Sequence, residues 1–133
     1  MATLFEKLNL RNHREILVLR APESFEPELA RLPVMTIHRH LESVAEIRFS
    51  LAFVTRQSEV DALVPQVAAK AKGDATVWFA YPKGTSKRYK CDFSRDTGWN
   101  ALKAAGFDTV RAIAIDEDWT ALCFRRVEYI KPR

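Results

Sequence analysis

ATVWFAYPKGTSKRYKCDFSRDTGW, residues 75–99, is the stretch that decides the fold. Residues 75–80 are apolar without alternation, which suits a short strand in a sheet covered on both faces. Tyr81-Pro82 ends the strand, because proline brings no N–H to the ladder. A basic, hydroxyl-bearing loop follows with Lys83, Thr85, Ser86, Lys87, Arg88 and Lys90. Ser94 then reads as the cap of a helix over 94–105, with Trp99 and Leu102 inward and Gly106 as its stop. A buried strand feeding a charged loop is where open α/β sheets place their ligand crevice.

The rest of the chain supplies matching units. Residues 15–19 (EILVL) form a continuous apolar run that reads as a first strand, closed by Ala21-Pro22. Ser24 to Leu32 reads as a short helix with Pro27 in its first turn, where a missing N–H costs nothing. Val34 to His38 alternates as a second strand, and Phe49 to Val54 is a third. Thr55 to Ser58 then supplies a cap. Val60, Leu63, Val64, Val67, Ala68 and Ala71 fall on one helical face. Pro65 interrupts that face, so a kink or broken turn is expected there, with Gly73 closing the helix. Thr109 to Ile115 and Trp119 to Val127 flank the tight turn Asp116-Glu117-Asp118 and must pair antiparallel. Thr3 and Glu6 have capping-box spacing for a short helix over 4–9.

This alternation predicts a single α/β domain over residues 1–133: three layers around a mostly parallel, twisted sheet. Right-handed crossovers favour the order 2-1-3-4-6-5, with the last strand antiparallel. The bulk figures agree. A chain of 133 residues can bury one core without staples, and 47% hydrophobic with 29% charged residues is ordinary for a globular domain. The net charge of +4 gives weak attraction to anions. The two cysteines, Cys91 and Cys123, belong to no metal-ligand spacing and read as reduced thiols. The start, MATLFEKLNLRNHRE, carries charge early and has no apolar h-region. No run approaches the roughly 20 residues of a membrane span. The expectation is a cytoplasmic protein without membrane contact.

The pieces ILVLRAP (16–22), LAFVTRQSEVDAL (51–63), VWFAYPK (77–83) and AIDEDWTALCFRR (114–126) carry a resemblance. They are similar to a family of small bacterial proteins of unknown function, marked by a strand ending in W-x-x-x-PK and a late D-E-x-W-x-x-L-x-F segment. Here these are Trp78 to Lys83 and Asp116 to Phe124. The strand order with its terminal hairpin also resembles a trimmed Rossmann-like methyltransferase domain. Those enzymes follow strand 1 with a glycine-rich turn and end strand 2 on an acidic residue. This chain has Arg20-Ala21-Pro22-Glu23-Ser24 and His38-Arg39-His40 instead. Both departures argue against S-adenosylmethionine and against a dinucleotide, so no cofactor is expected.

The carboxyl edge of such a sheet gathers Pro22–Ser24, Thr55–Ser58, Lys83–Lys90 and Asp116–Asp118. Ser24, Arg56, Lys83, Thr85, Lys87 and Arg88 are the candidate ligand-binding residues, offering cations and hydroxyls to a phosphate or carboxylate. The competing account of the basic loop is a solvated rim. The acidic turn offers a cation site or an acid/base pair, against plain turn chemistry or pairing with the basic loop. His38 and His40 face one side of a strand without a third ligand, so no metal is expected. Trp78 reads as core; Trp119 opens a strand at the site edge. The basic neighbours of Cys91 would lower its thiol pKa. No catalytic residue is recognisable. The sequence therefore points to a non-catalytic domain binding an anionic small molecule or nucleotide. The alternatives are an interaction module or homodimer using the sheet's edge strands, and weak nucleic-acid binding, which the modest charge and nearby acidic turn argue against.

Overall fold

The computed structural model describes residues 4–8, 10, 13–32, 35–93 and 98–130. Its elements are α1 (Leu4–Lys7), β1 (Glu15–Leu19), a 3-10 turn (Glu23–Phe25) running into α2 (Glu26–Ala30), β2 (Thr36–His38), β3 (Ile47–Phe53), α3 (Gln57–Lys70), β4 (Ala71–Pro82), α4 (Asn100–Ala104), β5 (Phe107–Ala114) and β6 (Trp119–Arg126). The six strands form one sheet in the order β2-β1-β3-β4-β6-β5. The first four run parallel and β6 lies antiparallel between β4 and β5. This is the order the sequence implies. The proposed caps Thr3 and Ser94, and Val34, lie outside the described residues.

The apolar runs are explained by two covered faces. Val77, Phe79 and Tyr81 of β4 point into a core with Leu17, Leu19, Val60, Val64, Trp99, Leu102 and Phe124, beneath α3 and α4. Trp78 and Ala80 point the other way, toward Phe5, Leu8, Phe25, Leu29 and Phe53, beneath α1 and α2. Trp78 is fully buried and its indole N–H donates to the Leu8 carbonyl at 2.9 Å. Arg111 of β5 donates to the neighbouring Lys7 carbonyl. The N-terminal segment is thereby fastened beneath the sheet.

Three local expectations are corrected. Helix α3 continues through Pro65 as one element, which corrects only the broken-turn half of the expectation. Pro65 and Asp61 are both exposed on the same face, so the bond lost to the proline lies on the water side. The helix does not run on to Gly73. It stops at Lys70 and β4 begins at once, with Arg126 donating to the Ala68 and Ala71 carbonyls at 2.8 and 2.7 Å. A cation on the last carbonyls complements the helix dipole. Gly73 instead sits in the irregular stretch where Ile47↔Ala71 gives way to Phe49↔Thr76. Its φ of +60° is a conformation other residues enter at a cost. An added Cβ would meet only the Tyr129 hydroxyl, at 4.0 Å. Gly73→Ala should therefore cost about 1 kcal/mol from backbone strain alone, measured as a lowered urea midpoint with an unchanged m-value. Finally, α4 is shorter than expected and begins at Asn100, because Gly98 holds a non-helical φ of +90°.

The edges are modest. β2 has three residues, and β5 carries a bulge between Thr109 and Arg111. Short and bulged edges resist pairing with other strands.

Candidate functional site

The carboxyl ends of β1, β3 and β4 and the β5–β6 turn meet at one edge of the sheet. The loop that leaves β4 there is firmly fastened. Lys83 N–H donates to the Asp118 carbonyl at 2.8 Å, and Ser86 Oγ donates to Asp118 Oδ1 at 2.9 Å. At the loop's far end Asp92 Oδ1 accepts the Gln57 N–H at 2.6 Å, and Asp92 N–H donates to the Thr55 carbonyl at 3.3 Å. Between these anchors the Tyr89 ring rests on Trp119, with centroids 4.9 Å apart. The acidic turn does pair with the basic loop, but through Ser86 and backbone. Asp116 Oδ1 accepts the N–H groups of Asp118 and Trp119 at 2.8 and 2.9 Å, which is turn chemistry.

Tyr89 separates two cavities. The smaller, about 260 Å³, lies at the β1/β3 switch point and is lined by Arg20, Pro22, Glu23, Phe53, Thr55, Glu59, Tyr89 and Trp119. Arg20 follows β1 directly and has a φ of +60°, the left-handed region that normally favours glycine. Its guanidinium forms an ion pair with Glu59. Glu59 Oε1 also accepts the Thr55 N–H at 2.7 Å, the Arg56 N–H at 3.0 Å and the Thr55 hydroxyl at 3.2 Å. Burial pushes the Glu59 carboxyl up, but these donors and the Arg20 charge outweigh it and hold its pKa below the ordinary value. With Asp92 on Gln57, two of the chain's own carboxylates occupy the start of α3, where a helix attracts anions.

The larger cavity, about 670 Å³, lies under the basic loop. Tyr81, Tyr89 and Phe93 give it aromatic walls, Lys83 and Lys90 supply cations, and Thr85, Thr120 and Cys91 add small polar groups. Its volume lies within the usual range for small-molecule sites, about 300–1,000 Å³. Among the described residues no carboxylate lies within ion-pair distance of Lys83 or Lys90.

Of the sequence candidates, Lys83 and Thr85 line this cavity; Lys87 and Arg88 are exposed on the same loop without lining it. Ser24 and Arg56 are exposed near the smaller cavity's rim and line neither. Sequence reasoning missed Tyr89, Phe93, Lys90 and Thr120 as lining residues. Thr120 stands opposite Tyr81 in the β4–β6 ladder, a register that the 116–118 turn, joining β5 to β6, does not set.

Cys91 is corrected. Burial raises its thiol pKa, and the Asp92 and Glu59 carboxylates add to the rise against a hydrogen bond from the Phe93 N–H. The thiol is thus kept protonated rather than activated. Cys123 is core, pushed up to about 11 by burial. His38 lies 3.7 Å from Glu15, and among the described residues no cluster of three His, Cys, Asp or Glu residues could hold a metal. Trp78, Trp99 and Trp119 are all buried, so none offers an exposed stacking platform. Among the described residues no helix is long and apolar enough to cross a membrane.

The sheet order and its antiparallel hairpin make this a Rossmann-type fold of the methyltransferase kind. Solved structures agree. A SAM-dependent methyltransferase from Aquifex aeolicus superposes with a TM-score of 0.59 at 12% identity, covering 92% of this chain and 87% of that one. The N-methyltransferase NodS from Bradyrhizobium japonicum gives 0.54 at 14%, covering 90% and 78%. A ribosomal protein L11 methylase from Lactobacillus delbrueckii gives 0.52 at 15%, covering 85% of this chain and 58% of that one. At these identities the likeness is one of fold. No protein-family model matches the chain, and no curated protein does.

Proposed function

We propose that this protein binds an anionic small molecule in the cavity beneath the 83–93 loop and is not a catalyst. The observation that carries this reading is the presence, at a cavity of about 670 Å³, of two ammonium groups, Lys83 and Lys90, that have no carboxylate partner among the described residues. Thr85 and Thr120 supply hydroxyls beside them. Lys87 and Arg88 add attraction from the outer loop, whereas Arg56 and Ser24 stand outside the cavity lining and take no part. Fastening at both ends keeps the site preorganised, which lowers the entropy lost on binding.

S-adenosylmethionine, named with the Aquifex aeolicus neighbour, does not fit the switch-point crevice as its side chains stand. The Arg20–Glu59 pair meets across a space of about 260 Å³, and Asp92 and Glu59 already use the donors at the start of α3. On this reading the chain keeps the methyltransferase-like sheet and has replaced the cofactor with its own charges. The small bacterial family it resembles shares the W-x-x-x-PK signature, which here delivers Lys83 to the cavity. Pairing of copies through the edges draws no support from a three-residue β2 and a bulged β5.

The test is thermal denaturation with inorganic phosphate, succinate, 4-hydroxybenzoate and AMP. At least one should raise the midpoint by a few degrees at millimolar concentration, and Lys83→Ala with Lys90→Ala should remove that rise. No rise with any of the four, or a rise unchanged in the double variant, overturns the reading.

A further inference from the structure

The walls of the loop cavity say more about the ligand than its charge does, and the ligand class they select rests on the anion-binding reading. Tyr89 and Phe93 are half-buried rings at the cavity, and Tyr81 is a nearly buried one. Each is backed by another ring. Tyr89 lies on Trp119 at 4.9 Å; Phe93 lies edge-on to Trp99 at 5.1 Å; Tyr81 contacts Phe93 at 5.9 Å and Trp99 at 5.6 Å. The rings are therefore fixed, and little freedom remains to be lost when a ligand packs against them. Cys91 stays uncharged between them and adds no repulsion. A site made only to hold a phosphate or an aliphatic diacid would need none of this aromatic surface. It would leave that surface wet.

We infer that the ligand is a planar aromatic ring carrying one anionic group. The ring packs among Tyr89, Phe93 and Tyr81, while the carboxylate or phosphate meets Lys83 and Lys90. A free aromatic acid and a nucleoside monophosphate share this chemistry, and the test separates them.

Isothermal titration with 4-hydroxybenzoate, AMP, succinate and inorganic phosphate decides the matter. At least one of the aromatic anions should bind about tenfold or more tightly than both non-aromatic ones. Which of the two does so identifies the source. Tyr89→Leu keeps an apolar wall without a π-face, and it should lower the aromatic affinity by a larger factor than the non-aromatic one, bringing the two together. A melting curve for the variant confirms that it is folded; should it not be, Phe93→Leu serves the same purpose. Equal binding of aromatic and non-aromatic anions overturns this inference and leaves anion binding standing. So does an aromatic preference that survives both leucine variants. Binding of none overturns both.

Discussion

Trp78→Ala should remove about 3–5 kcal/mol of stability, a large part of what a domain of this size possesses. The indole is fully enclosed in the centre of β4, so its loss leaves a cavity that neighbouring strands, locked in register on both sides, cannot collapse to fill. The loss also frees the Leu8 carbonyl, which the indole N–H holds at 2.9 Å. Trp78→Phe separates the two effects. It keeps most of the apolar volume but leaves that carbonyl unpaired, and should cost about 1–3 kcal/mol. Urea titrations followed by far-ultraviolet circular dichroism measure both. A Trp78→Ala protein with the wild-type midpoint would refute the assigned role.

Glu59→Gln should destabilise the fold by about 1–2 kcal/mol near neutral pH, and the deficit should shrink in acid. The side chain gathers three donors and the Arg20 guanidinium at the start of α3. Its carboxyl pKa is depressed in the fold relative to an ordinary value of 4.5. A depressed carboxyl stabilises the native state above its unfolded pKa, and that contribution is lost as pH falls through the folded one. Wild type and Glu59→Gln should therefore differ most at pH 7 and converge at an acidic pH below the depressed pKa of Glu59. Other depressed carboxyls, such as Glu26 hydrogen-bonded to Arg39, occur in both proteins and cancel in the comparison. Urea midpoints at the two pH values give the result. A gap that does not change with pH would show that the charge of Glu59 is immaterial.

Much of the sheet was legible because its physics is local. The run 75–80 could only be a doubly covered strand, and a three-residue acidic turn could only join antiparallel neighbours. The switch from α3 to β4 was not legible. Gly73 has the look of a helix stop, whereas Arg126, 55 residues beyond Ala71, supplies the closing hydrogen bonds. The site divided in the same way. Lys83 and Thr85 followed from the loop's place after β4, but the direction of each side chain along a loop has no sequence period. Tyr89 faces inward because Trp119 receives it, while Lys87 and Arg88 face out. At Arg20 the sequence shows only a missing glycine. That this residue takes a glycine-like backbone and reaches Glu59 depends on α3 being brought alongside.

The rings that back the cavity form two stacks, Tyr89–Trp119–Phe53–Phe25–Phe5 on one side of the sheet and Tyr81–Phe93–Trp99–Phe124 on the other. Two of the three tryptophans thus stand one ring away from the cavity, and the third, Trp78, is enclosed in the middle of β4 and tied to Leu8. The protein carries its own optical reporter: Trp99 and Trp119 emit from beside the loop, while Trp78 provides an internal reference enclosed in the core.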